Sequence, residues 1–87
     1  MEWEKTESVL LTWHEAKKLE NDFFVLPTVG QLLIAFNEKT NGFKNSLYWA
    51  CEEKTENDSA HFVDFYKGMT SYCSKESKLF VKLIKKP

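Results

Sequence analysis

Residues 26–36 read Leu26-Pro27-Thr28-Val29-Gly30-Gln31-Leu32-Leu33-Ile34-Ala35-Phe36, and their punctuation decides the first half of the fold. Pro27 pushes Leu26 towards an extended backbone. Thr28 and Gln31 then form a T-x-x-Q capping box, in which each side chain satisfies the other residue's backbone amide at a helix start. A helix over 28–36 follows, with Leu32, Leu33 and Phe36 on its buried face. The same signal stands upstream. Thr12-Trp13-His14-Glu15 is a T-x-x-E box, and Trp13, Ala16 and Leu19 give a narrow apolar stripe to a helix over 12–20. Residues 1–11, with Val9-Leu10-Leu11, are predicted extended.

Downstream of the second helix the period changes. Residues 37–46 are a polar loop with a turn at Asn41-Gly42. Leu47–Cys51, Ala60–Tyr66, Met69–Cys73 and Leu79–Lys85 then read as strands, separated by polar turns at 52–59, 67–68 and 74–78. Strands at this spacing predict an antiparallel meander. Two helices followed by a small antiparallel sheet make an α+β fold. Trp13, Leu26, Leu32, Phe36, Trp49, Val63, Phe65 and Val81 are its expected core.

The chain has 87 residues, enough for one domain over 1–87. Aromatics are 15% of the sequence, which opposes disorder, and only 3 Gly and 2 Pro oppose low-complexity architecture. Net charge is −1, but it is polarised: residues 1–58 carry −5 and residues 59–87 carry +4. Every basic residue is Lys. Bidentate reading of guanine edges favours Arg, so sequence-specific nucleic-acid binding is not expected. The longest apolar run, 32–36, is too short to cross a bilayer, and no basic, apolar leader opens the chain. These features predict a cytoplasmic protein, in the host cytoplasm if it is phage-encoded, with no membrane partner.

In that compartment Cys51 and Cys73 are expected as reduced, structural thiols; a disulfide between them is the alternative. No C-x-x-C, nucleophile-elbow, Walker or H-E-x-x-H pattern occurs. His14 and His61 have no evident partner for acid–base work. The sequence therefore predicts no enzyme, no cofactor and no metal site. The Tyr48-Trp49 pair reads as core rather than as a ligand-stacking platform. The distinctive surface feature is Glu52-Glu53-Lys54-Thr55-Glu56-Asn57-Asp58. Read as a loop, it offers Glu52, Glu53, Glu56 and Asp58 to a basic protein surface, because a charged patch speeds and orients association. The lysines at 78, 82, 85 and 86 read as a charged edge strand that opposes aggregation.

Five words in order carry a family resemblance: Thr12-Trp13-x-Glu15-Ala16, Leu26-Pro27-Thr28, Tyr48-Trp49, Val63-Asp64-Phe65-x-x-Gly68 and Phe80-Val81-Lys82-Leu83-Ile84-Lys85. Over residues 12–86 the chain resembles the C-terminal domain of Lcl-type collagen-like adhesins. The family words are T-W-x-E-A, R-L-P-T-x-x-E-L, Y-W-S-S, V-D-F-x-x-G and Y-V-R-x-V-R. Val25, Gln31, Ala50, Cys51, Lys82 and Lys85 stand where that pattern has Arg, Glu, Ser, Ser, Arg and Arg. The resemblance implies a compact C-type-lectin-like fold of the formylglycine-generating-enzyme group and a role in binding. Two functions follow as expectations. One is a non-enzymatic intracellular protein-binding module, of the size and chemistry of phage or mobile-element inhibitors that block a host defence complex, anti-CRISPR proteins among them. The other is a ligand- or glycan-binding domain of a surface or virion protein.

Overall fold

A computed structural model describes residues 1–5 and 9–87; residues 6–8, within the segment expected to be extended, lie outside the described residues. Both capping boxes form. Thr12 Oγ1 accepts the Glu15 amide at 3.2 Å and Glu15 Oε1 accepts the Thr12 amide at 2.9 Å, opening α1 (Trp13–Lys18). Thr28 Oγ1 accepts the Gln31 amide at 3.0 Å and Gln31 Oε1 accepts the Thr28 amide at 2.9 Å, opening α2 (Val29–Asn37). Between them lies the short β1 (Phe24–Val25). The helix expected over 12–20 stops at Lys18, because Asn21 draws the chain into a turn: its Oδ1 accepts the amides of Phe23 and Phe24 at 2.8 and 2.9 Å.

The sheet strands are β2 (Leu47–Lys54), β3 (Ser59–Asp64) and β4 (Met69–Ser74), in spatial order β2-β3-β4 and all antiparallel. The sheet differs from the sequence reading in three respects. β2 continues to Lys54, so the expected acidic loop over 52–59 is the outer end of a strand and a short 3-10 turn (Glu56–Asp58). β3 ends at Asp64, whose Oδ1 accepts the Tyr66 amide at 2.7 Å and starts the turn. Gly68 closes that turn at φ +72, a backbone angle that suits glycine.

The third difference is topological. The segment 79–85 does not add a fourth antiparallel strand beside β4. It passes on the far side of β2 and makes a parallel bridge, Tyr48 with Phe80. Phe80 N donates to Leu47 O and Trp49 N donates to Phe80 O, each at 3.0 Å. Only β5 (Ile84–Lys85) is a regular strand there, paired antiparallel with β1, while Trp3 bridges Ile84 from the N-terminal segment. Burial explains the crossover. Val81, Lys82, Leu83 and Ile84 are consecutive and all buried, a pattern an exposed edge strand does not carry. The expected lysine-studded edge is therefore an interior segment, with Lys82 itself buried.

Two apolar clusters flank the sheet. One holds Trp13, Ala16, Leu26, Trp49, Ala60, Leu79, Val81 and Leu83. The other holds Leu32, Ala35, Tyr48, Ala50, Val63 and Phe65. Every expected core residue except Phe36 is buried; Phe36 is half-buried at the rim of the second cluster, against the ring of Phe65. Tyr48 and Trp49 have no exposed surface, as the core reading expects. No helix among the described residues is long and apolar enough to cross a membrane.

Candidate protein-docking edge

The site is organised by a bulge in β2. Its register with β3 runs Leu47↔Asp64, Tyr48↔Val63, Trp49↔Phe62 and resumes at Glu53↔Ala60. Ala50, Cys51 and Glu52 thus stand against His61 alone. A bulge re-aims backbone and side chains out of the ladder, and here all three residues find partners in the helical layer. Ala50 O accepts the Trp13 indole N–H at 2.9 Å. Cys51 N donates to Pro27 O at 2.8 Å. Glu52 accepts the Val29 amide at 3.0 and 3.2 Å through its two oxygens. Val29 is the first residue of α2, where amides lack helical acceptors and a negative charge suits the helix dipole.

The four acidic residues expected to meet a partner are therefore placed in different environments. Glu52 is half-buried and faces α2. Glu53 and Asp58 converge on one lysine, with Lys75 Nζ at 2.9 and 3.4 Å from their carboxylates. Lys75 is buried and lies 4.6 Å above the Trp13 ring. The Glu53 bond first, and the Asp58 bond against the desolvation, raise the Lys75 pKa and hold it charged. Glu56 is exposed on the 3-10 turn. The structure brings Glu53 and Asp58 together around a cation and directs Glu52 to the helix.

At the other side of the sheet, β4 presents an edge. Its six residues, Met69-Thr70-Ser71-Tyr72-Cys73-Ser74, carry no charge and no proline, and all but Cys73 are exposed. The β3–β4 register is unbroken from Ser59↔Ser74 to Asp64↔Met69. Lys75 N continues that ladder, donating to Asp58 O at 3.0 Å. Bonded and non-bonded pairs alternate in an antiparallel ladder. Cys73, Ser71 and Met69 accordingly turn their backbone groups to β3, and Thr70, Tyr72 and Ser74 turn theirs outward. Among the described residues the only further backbone bond on this edge is Ser77 N to Ser74 O, at 3.0 Å.

Tyr72 is 48% exposed and Met69 62%, so the edge offers apolar area beside its open backbone groups. Lys54 Nζ lies 3.4 Å from the Tyr72 ring centroid, and its hydrogen bond to the phenol, then its charge, lower the phenol pKa. A shallow depression of about 270 Å³, lined by Val29, Glu52, His61 and Thr70, borders the same side of the sheet. The sequence signal for the edge was present: an uncharged run between Lys67 and Lys75. What sequence reading lacked was the crossover that leaves β4 uncovered.

The thiols of Cys51 and Cys73 are both free and half-buried. Cys51 Sγ donates to Glu52 Oε1 at 3.7 Å, and burial together with that carboxylate pushes the thiol pKa up, away from nucleophilic thiolate. His14 is exposed against Trp13, and His61 packs on Tyr72 with ring centroids 6.0 Å apart. No group of three potential metal ligands occurs among the described residues. Compared with models of known protein families and with curated proteins, the chain finds no match in either.

Proposed function

We propose that this chain is a non-enzymatic protein-binding module that receives an extended segment of its partner along β4. The observation that carries this reading is the open edge: Thr70, Tyr72 and Ser74 face outward on a strand with no protecting charge. Natural sheets cover such edges or guard them with Lys, Pro or bulges, because an unguarded edge is a template for another strand. Main-chain bonds to an added strand give affinity, and alternate side chains give specificity. Each bond contributes about 0.5–1.5 kcal/mol net. The resemblance to lectin-like adhesin domains also favours binding, and the small size suits an inhibitor that blocks a larger complex, as phage or mobile-element inhibitors of host defence do. The expected basic partner fits the edge less directly, since Glu52, Glu53 and Asp58 already have partners within the chain.

The experiment is a photo-crosslinking amino acid at Ser71, used to capture a protein from host lysate, with Tyr72→Pro as the paired variant. The Tyr72 amide points away from β3, so proline there removes the outward donor and no bond within the sheet. Capture that disappears in Tyr72→Pro, with thermal unfolding retained, supports the reading. Equal capture with and without the substitution contradicts it.

A further inference from the structure

We propose that the first occupant of the β4 edge is a second copy of this chain, paired antiparallel about a two-fold axis at Tyr72, so that two three-stranded sheets join into one of six. The inference rests on the reading of β4 as a docking edge and names what fills it when no other partner is present.

The strand is complementary to itself. A two-fold normal to a sheet places a residue opposite its own copy, and the outward-facing residues must be the ones that bond. Centring on Tyr72 meets both conditions. Tyr72 then exchanges two backbone bonds with its copy, and each Ser74 N–H donates to the Thr70 carbonyl of the other chain, which makes four bonds. Centring on Ser71 fails, because its backbone groups already face β3.

Charge agrees. No charged residue lies in 69–74, so no charged side chain of the strand stands opposite its own copy. Of the lysines beside the strand, Lys75 is already neutralised by Glu53 and Asp58 and does not oppose its copy, and Lys54 lies over the Tyr72 ring with its Nζ 3.4 Å from the centroid. The exposed rings of Tyr72 from the two chains meet on one face, and aromatic cross-strand pairs stabilise a sheet. The unbroken β3–β4 register keeps the edge regular enough to accept a straight partner. The contact is one strand long, which places it among small, reversible interfaces, with a Kd on the order of 10–100 µM.

The test is sedimentation of the full chain against concentration, with Tyr72→Lys and Tyr72→Glu. Each substitution sets two like charges opposite each other on the axis, and each is expected to weaken the dimer at least tenfold. An equal mixture of the two variants restores it, because the pair across the axis is then opposite in charge. A second measurement fixes the register independently. In a Cys51→Ser background, Ser71→Cys places a thiol across from Cys73 of the other chain, in a non-bonded pair at disulfide distance. Mild oxidation is expected to give a covalent dimer, and Thr70→Cys, on the opposite face, is not. A wild-type chain that stays monomeric at about 1 mM overturns the proposal. A dimer indifferent to both charge variants overturns it as well, by placing the interface elsewhere. Either failure leaves the docking edge itself to be judged by whether Tyr72→Pro abolishes capture.

Discussion

The carboxylate of Glu52 holds the first amide of α2, accepting the Val29 N–H at 3.0 and 3.2 Å from 23 residues away. This contact ties the bulge of β2 to the helix start and sets where α2 lies on the sheet. It also gives Glu52 a structural task.

Glu52→Ala removes a helix-terminal acceptor and a favourable charge at the N-terminus. It is expected to cost about 1–2 kcal/mol, read as a lowered urea midpoint with an unchanged slope. Glu52→Gln keeps an acceptor and is expected to lose less. An unfolding midpoint unmoved by Glu52→Ala would show that Thr28 and Gln31 cap α2 without help.

Trp13 and Trp49 both anchor through their indole nitrogens. Trp13 Nε1 donates to Ala50 O at 2.9 Å, and Trp49 Nε1 donates to Leu11 O at 2.8 Å. Trp13→Phe keeps most of the packing but takes the indole donor from the buried Ala50 carbonyl, an expected loss of about 1–3 kcal/mol. Trp49→Ala empties a fully buried site and is expected to cost about 3–5 kcal/mol. A small domain with about 5 kcal/mol in reserve is then mostly unfolded. Unchanged thermal melting of Trp49→Ala would refute its core position.

The two capping boxes were legible because their bonds are local, closing within three residues. The change to strand period after residue 46 was legible for the same reason, and most of the expected core is buried. What the sequence did not disclose is non-local. Nothing in Glu52-Glu53-Lys54 marks the bulge that turns Glu52 to Val29, or the buried Lys75 that gathers Glu53 and Asp58. Likewise, the lysines at 82 and 85 read as an edge, whereas the run Val81–Ile84 is buried on both sides between β2 and the terminal segments. That crossover decides which strand is exposed, and so the docking edge lay outside what local pattern reveals.

Gly68 sits at φ +72, and a Cβ there would clash with the Phe36 ring. Gly68→Ala combines an unfavourable backbone region with overpacking, an expected loss of about 2–4 kcal/mol. Pairing it with Phe36→Ala removes the clash and is expected to leave only the backbone part of the Gly68→Ala effect. Strict additivity of the two substitutions in a double-mutant cycle would show that the turn and α2 are independent.

Acid should weaken the junction between α1 and β1. Burial raises the Glu20 pKa, but the bond from Lys17 and the Leu26 amide at 2.9 Å outweigh it, and the net direction is down. A carboxylate with a lowered folded pKa contributes stability above its unfolded pKa, about 4.3, and loses it as pH falls through the folded value. Wild type is therefore expected to lose more stability than Glu20→Gln between about pH 5 and pH 3. Parallel curves for the two proteins would contradict the assignment.

The most direct measurement is amide hydrogen exchange along β4, resolved by residue. In dilute protein without a partner, the amides of Ser71 and Cys73 should be protected by β3, and those of Thr70, Tyr72 and Ser74 should exchange at near-free rates. When the edge is occupied, by a second copy at high concentration or by a captured protein, Tyr72 and Ser74 should slow by about tenfold or more while Ser71 and Cys73 stay as they were. Outward amides that exchange equally fast in every condition, while binding is evident elsewhere on the molecule, would contradict docking at this edge.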